Sequence, residues 1–195
     1  MAKDRRNGQN MKMLILGGAA SGKSAFAEKR AVERAKEQEE SLTYLATLHP
    51  QSGGDTAERI KKHVAARAGK GFATVEWTDC QTLPQVKGVV LLEDLGNLVA
   101  NYLYPLDAEA SCEREKNGKA CSADEALSFL LDKLQSLSAQ ASDLICVSNE
   151  ISLGGNLPQA MRLYGEVLAR LNAAWAAASE KAYAVVAGIE IALKS

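Results

Sequence analysis

Short apolar runs alternate with helical periodicities along this chain, and that alternation sets its organisation. Met13-Leu14-Ile15-Leu16 has the length of a buried strand. From Lys23 to about Glu40, alanines recur every fourth position (Ala27, Ala31, Ala35) while Glu33, Arg34 and Lys36 to Glu40 are left to solvent, which predicts a helix. Ser41 to Thr47 reads as a second strand ending at Leu48-His49-Pro50, and Gln51 to Gly54 as a flexible loop. Asp55 to Ala68 predicts a helix, opened by the loose capping box Asp55/Glu58 and stopped by Gly69. A short third strand falls at Ala73 to Trp77, and a fourth, Val89-Val90-Leu91-Leu92, is closed by Glu93-Asp94. Leu95 to Tyr104 is helical in pattern. Pro105 to Cys121 is polar and aperiodic, an insertion expected to be disordered or, failing that, a lid. Ser122 and Glu125 then form a capping box ahead of Leu127, Leu130, Leu131, Leu134 and Leu137. The strand Asp143 to Ser148 ends in Asn149-Glu150, Pro158 opens an alanine-rich helix to about Ser179, and the last strand is expected at Tyr183 to Ile191.

Strands alternating with helices imply an α/β fold with a mostly parallel sheet flanked by helices. Ligands of such sheets bind beyond the carboxyl ends of the strands, which brings Gly17 to Ser24, Thr47, Glu93 and Glu150 to one region. With 195 residues, 47% of them hydrophobic, and no repeat or linker, residues 11–195 are expected to form one catalytic domain behind a disordered extension at 1–10. The net charge of −1 gives no sign of a nucleic-acid or acidic-membrane partner. No apolar run approaches the roughly 20 residues of a membrane span, and Met1 to Asn10 lacks a signal peptide's apolar core. Cys80, Cys112, Cys121 and Cys146 form no C-x-x-C pair and read as free thiols of a cytoplasmic protein.

Chemistry enters between the first strand and the first helix. Gly17-Gly18-Ala19-Ala20-Ser21-Gly22-Lys23-Ser24 fits G-x-x-x-x-G-K-[ST], the phosphate-binding loop of P-loop NTPases. Small residues suit it because backbone N–H groups must turn inward onto phosphate oxygens, and the following helix adds its partly positive N-terminus. Lys23 is then expected to reach the β/γ-phosphates and Ser24 to hold Mg²⁺, with Glu93, an acid closing a hydrophobic strand, as the carboxylate of the magnesium shell.

A second constellation lies on the expected helix Asp55–Ala68, where Arg59, His63 and Arg67 share one face. The neighbouring cations, Lys61 and Lys62 included, disfavour the imidazolium and leave His63 neutral and nucleophilic near pH 7. Such a ring can carry a nucleotidyl group as a covalent intermediate while the cations hold its phosphates. His49 has no such setting and is expected to be structural or solvent-facing. These residues leave three readings open: a two-step nucleotidyl transferase, a P-loop kinase of another small metabolite with His63 as a phosphate clamp, and a nucleotide-binding module without transfer chemistry.

The chain resembles the bifunctional adenosylcobinamide kinase/adenosylcobinamide-phosphate guanylyltransferase family of cobalamin biosynthesis. The resemblance is carried by the phosphate loop, Tyr44-Leu45-Ala46-Thr47, Arg59-Ile60-x-x-His63 with Arg67, and Thr74-Val75-Glu76. It continues in Leu91-Leu92-Glu93-Asp94-Leu95 with Asn101, Val147-Ser148-Asn149-Glu150, Arg170-Leu171-Asn172 and Val185-Val186-Ala187-Gly188-Ile189. It implies a RecA-like sheet, a homotrimer and two activities: phosphorylation of adenosylcobinamide by ATP or GTP, and transfer of GMP from GTP through a histidine matching His63 to the cobinamide phosphate. The implied nucleotide contacts are Gly17, Gly18, Ala19, Ala20, Ser21, Gly22, Lys23, Ser24, Ala46, Thr47, Leu48, Val64, Ala65, Ala66, Arg67, Glu76 and Glu93. The chain departs from the family pattern at Gly165-Glu166, Ala169 and Glu190.

Overall fold

The structure is a computed structural model that describes residues 10–49, 67–105, 122–151 and 157–195. Its strands are β1 (Met11–Gly17), β2 (Leu42–Ala46), β3 (Phe72–Glu76), β4 (Val89–Glu93), β5 (Asp143–Asn149), β6 (Lys181–Val186) and β7 (Ile189–Lys194). The helices are α1 (Lys23–Gln38), α2 (Leu95–Leu103), α3 (Ala123–Gln140) and α4 (Gln159–Ala178). One seven-stranded sheet runs in the order β3-β2-β4-β5-β1-β6-β7. Every pairing is parallel except that of β6 with β7. β5 separates β1, which leads into the phosphate loop, from β4, which ends at Glu93. This is the RecA-like arrangement of an α/β P-loop sheet.

A parallel sheet is covered on both faces, so its central strands are apolar throughout. Val89, Val90, Leu91 and Leu92 are all fully buried. Alternation sends Met13 and Ile15 to the α1 side, with Phe26, Ala27, Ala31 and Tyr44. Leu14 faces the other side, where α2, α3 and α4 contribute Leu98, Leu130, Leu134, Leu171 and Trp175. The capping box of α3 forms as expected: Ser122 Oγ accepts from the Glu125 N–H and Glu125 Oε2 from the Ser122 N–H, both at 3.2 Å. Among the described residues, no helix is long and apolar enough to cross a membrane. Cys80 and Cys146 are buried, and Cys80 Sγ donates to the Leu98 carbonyl at 3.4 Å.

One element differs from expectation. The run from Tyr183 to Ile191 is not one strand but the end of β6, a turn and the start of β7. Ala187 (φ 49°) and Gly188 (φ 81°) both take positive φ, the backbone of a two-residue hairpin, and alanine there gives no breaker signal. β7 is exposed along its whole length. The expected helix Asp55–Ala68 lies almost wholly outside the described residues, as do residues 1–9 and all of the 105–121 insertion but Pro105. Gly69, its expected stop, does adopt the left-handed backbone (φ 78°).

Candidate active site

The phosphate loop joins β1 to α1 at the carboxyl end of the sheet. Only glycine fits at Gly17: a Cβ there would lie 2.5 Å from Ser21 Oγ and 2.7 Å from the Val185 carbonyl oxygen. Gly22 caps α1 with φ 93°, a conformation that costs a side-chain-bearing residue energy. Two neighbours fix the loop from behind. The Gly188 N–H in the β6–β7 turn donates to the Ser21 carbonyl at 2.9 Å, and the Glu150 N–H after β5 donates to the Gly17 carbonyl at 3.3 Å. Gly18, Ala19 and Ala20 face solvent. Lys23 is buried, with its Nζ donating to the Gly18 carbonyl at 3.1 Å, so the ammonium is folded onto the loop it serves.

The first turn of α1 meets the end of β4. Ser24 Oγ donates to Glu93 Oε1, and the Tyr44 hydroxyl donates to Glu93 Oε2 at 3.3 Å. Burial, then the charge of Glu93, pushes the Tyr44 phenol above its ordinary range. Arg67 is buried with its guanidinium carbon 3.4 Å from the centre of the Tyr44 ring, and its Nη1 has no hydrogen-bond partner among the described residues. Beside it, Lys70 Nζ pairs with the buried Glu28 at 2.5 Å.

Thr47 fastens β2 to β4. Its N–H donates to the Glu93 carbonyl (3.1 Å), its hydroxyl to the Asp94 carbonyl (2.9 Å), and its own carbonyl accepts from Asn101 Nδ2 of α2 (2.7 Å). Asp94 caps α2 by accepting from the Asn97 N–H (2.7 Å) and also accepts from Asn149 Nδ2 (3.1 Å). The missing Cβ of Gly96 leaves room for the Tyr164 hydroxyl, 2.9 Å from where that Cβ would stand. Burial, then the charge of Asp94, pushes the Tyr164 phenol up to about 12.

The fold thus brings the phosphate loop, Thr47, Glu93 and Arg67 together. Ala46 pairs in register with both Glu93 and Glu76, so Glu76 lies exposed one strand beyond β2, at the outer edge of the sheet. Thr47 is fully buried with its hydroxyl directed at the Asp94 carbonyl, while Leu48 and His49 are half-buried at the strand end. His63, Val64, Ala65 and Ala66 lie outside the described residues. Sequence reasoning placed Tyr44, Asn101 and Asn149 only among the pieces that carry the resemblance, kept Asp94 as an alternative to Glu93 for the metal, and gave Tyr164 no role. For Tyr44 a signal existed: it stands two residues before Ala46 on a strand, hence on the face that Glu93 shares.

The family model described as cobinamide kinase / cobinamide phosphate guanyltransferase matches residues 13–193. The chain belongs to that family. It is 27% identical over 191 residues to the bifunctional adenosylcobalamin biosynthesis protein CobU of Salmonella typhimurium, spanning 94% of this chain and 100% of that one. Its fold also superimposes on the flagellar accessory protein FlaH of Methanocaldococcus jannaschii with a TM-score of 0.45 at 14% identity, over 94% of this chain and 78% of the other. A likeness of that size does not bear on function.

For a member of this family, the pair Ser24–Glu93 is the relevant test of whether a metal ion fits. No cluster of three or more His, Cys, Asp or Glu side chains suited to a metal occurs among the described residues. Mg²⁺ needs none, because it keeps several waters and takes further ligands from substrate phosphates. A hydroxyl and a carboxylate oxygen in contact at the mouth of a phosphate loop are hard donors of the right kind. The site fits the ion.

Proposed function

We propose that this chain phosphorylates the aminopropanol hydroxyl of adenosylcobinamide and then transfers GMP from GTP to the resulting phosphate, giving adenosylcobinamide-GDP in cobalamin biosynthesis. The observation that carries this reading is the meeting of the loop Gly17–Ser24 with Glu93 in a chain that the family model matches over residues 13–193. In the kinase step, Lys23 leaves the Gly18 carbonyl for a phosphate oxygen and stabilises charge on the transferring group. Ser24 and Glu93 hold Mg²⁺, which neutralises phosphate charge when bound. ATP and GTP both serve as substrates.

The guanylyl step runs through His63. A ring nitrogen attacks the α-phosphorus of GTP, the bond to the bridging oxygen breaks, and pyrophosphate leaves. An oxygen of adenosylcobinamide phosphate then displaces the imidazole from the same phosphorus. Arg67, with a buried Nη1 that lacks a partner among the described residues, supplies a donor to a phosphate oxygen. Ala46, Thr47, Leu48, Val64, Ala65, Ala66 and Glu76 complete the nucleotide contacts. The enzyme is read as one domain over 11–195, cytoplasmic and homotrimeric, with no nucleic-acid partner. Incubation with adenosylcobinamide and γ-labelled ATP, followed by unlabelled GTP, tests both steps by chromatography of the corrinoids. The expected products are labelled adenosylcobinamide phosphate and then adenosylcobinamide-GDP. Phosphorylation of some other small hydroxyl compound, with cobinamide untouched, would overturn the reading in favour of a different P-loop kinase.

A further inference from the structure

Tyr44 is absorbed by none of the roles above, yet it touches both halves of the site. It stands in the middle of β2, in register with Thr74 on one side and Leu91 on the other, two residues ahead of the pair Ala46 and Glu93. The residue is 6% exposed. The ring meets the Phe72 ring edge-on at 6.1 Å and carries the Arg67 guanidinium at 3.4 Å, while the hydroxyl reaches Glu93 Oε2 at 3.3 Å. The other oxygen of Glu93 receives Ser24, the first hydroxyl beyond the loop lysine. A contact chain therefore runs from Arg67 through Tyr44 and Glu93 to Ser24.

Each end of that chain awaits something different. Arg67 Nη1 is buried and lacks an acceptor among the described residues, a state that is unfavourable until an acceptor arrives. An anionic oxygen is the natural one, because a guanidinium over an aromatic ring keeps its in-plane N–H donors free for hydrogen bonding. At the far end, Glu93 and Ser24 offer oxygens to a cation. A rigid aromatic side chain with few torsions, packed on Phe72 and fixed at its hydroxyl, links the two with little slack.

We propose that Tyr44 is a positioning residue that couples phosphate capture at Arg67 to metal loading at Glu93 and Ser24. Its ring is the shelf that sets the guanidinium, and its hydroxyl orients the carboxylate so that Oε1 faces Ser24. The two functions are separable, because Tyr44→Phe removes the hydroxyl and keeps the shelf, whereas Tyr44→Leu removes both. This inference rests on the nucleotide-transferring reading above.

The test is calorimetric titration of the full chain with the α,β-methylene analogue of GTP, which cannot transfer GMP, in EDTA and in magnesium. The ratio of the two affinities is the magnesium enhancement. Tyr44→Phe is expected to lose about tenfold of that enhancement, the value of one hydrogen bond to a charged group, with far less change in metal-free affinity. Tyr44→Leu is expected to lose both, and to be non-additive with Arg67→Ala in metal-free affinity. Thermal melts alongside confirm folding, and if Tyr44→Leu fails to fold, Tyr44→Phe with Glu93→Gln supplies the second cycle, expected to be non-additive in the enhancement. A parental enhancement in Tyr44→Phe, or strict additivity in the cycle measured, overturns the coupling while leaving the proposed function standing. Failure of the parent to bind the analogue overturns the proposed function, and the coupling with it.

Discussion

The two ends of the sheet each hold an acidic side chain against α1, and they hold it by different chemistry. At the amino end, Asp143 of β5 is almost fully buried and accepts from Arg34 Nε (2.7 Å), Gln38 Nε2 (2.7 Å) and the Met11 N–H (3.2 Å). At the carboxyl end, Glu93 of β4 is half-buried and accepts from the hydroxyls of Ser24 and Tyr44. A guanidinium, an amide N–H and a backbone N–H can only donate, so Asp143 is locked to the fold. A hydroxyl both donates and accepts and turns at little cost, so Ser24 can release the carboxylate and offer its oxygen to a cation. The difference separates an acid bound by side-chain and backbone donors that cannot also accept from one that meets two hydroxyls beside the phosphate loop.

That comparison breaks if the two ends respond alike to substitution. The largest expected effect is at the loop. Lys23→Ala should lower nucleotide-dependent turnover by at least about 10²–10³-fold, because it removes the cation set against transferring phosphate charge. The melting temperature, read alongside the rate, should move little. Asp143→Ala should do the opposite. It leaves Arg34 Nε, Gln38 Nε2 and the Met11 N–H without their acceptor beneath α1, at about 2–3 kcal/mol, a figure tempered because Arg34 is about one-third exposed and keeps its pair with Glu37 at 2.9 Å. Thermal melts should fall by roughly 5–10 °C while the rate per folded molecule holds. A variant of Asp143 that kept its stability and lost turnover would erase the distinction.

Glu93→Gln sharpens the same contrast. The amide keeps the shape and removes the charge, so the magnesium concentration at half-maximal activity should rise about tenfold to a hundredfold with little loss of stability. An unchanged titration would move the metal role to Asp94. The smallest effect belongs to Tyr164. Its phenol, ordinarily near 10, is pushed up to about 12 by burial and by Asp94. The unfolded chain therefore loses the proton first, so the phenol's contribution is intact below pH 10 and is lost as pH rises toward 12. Denaturant midpoints from pH 9 to 11.5 should decline less steeply in Tyr164→Phe; identical slopes would show that folding does not raise this phenol.

Much of the fold was legible in the sequence because each element carried its own local signal. The apolar run at Met13, the small-residue loop, the Ser122/Glu125 box and the acid closing β4 each report a backbone state within a few residues. The β6–β7 hairpin escaped because Ala187 takes its left-handed conformation without a residue type that advertises it. The site was half legible. Gly17–Ser24 and Glu93 belong to patterns with fixed spacing, whereas Tyr44, Asn101 and Asn149 act across strands, where distance is set by sheet order. β5 between β1 and β4 brings Asn149 against Asp94, and nothing near Asn149 in the chain announces it.

Which residue carries GMP is the central claim, and labelling tests it most directly. Parent and His63→Ala are incubated with α-labelled GTP and magnesium, then run on a denaturing gel. The account predicts label on the parent, lost in acid and stable in base as a histidine phosphoramidate is. It predicts none on His63→Ala, which should still phosphorylate adenosylcobinamide. Label on His63→Ala, or an acid-stable adduct on the parent, would contradict it.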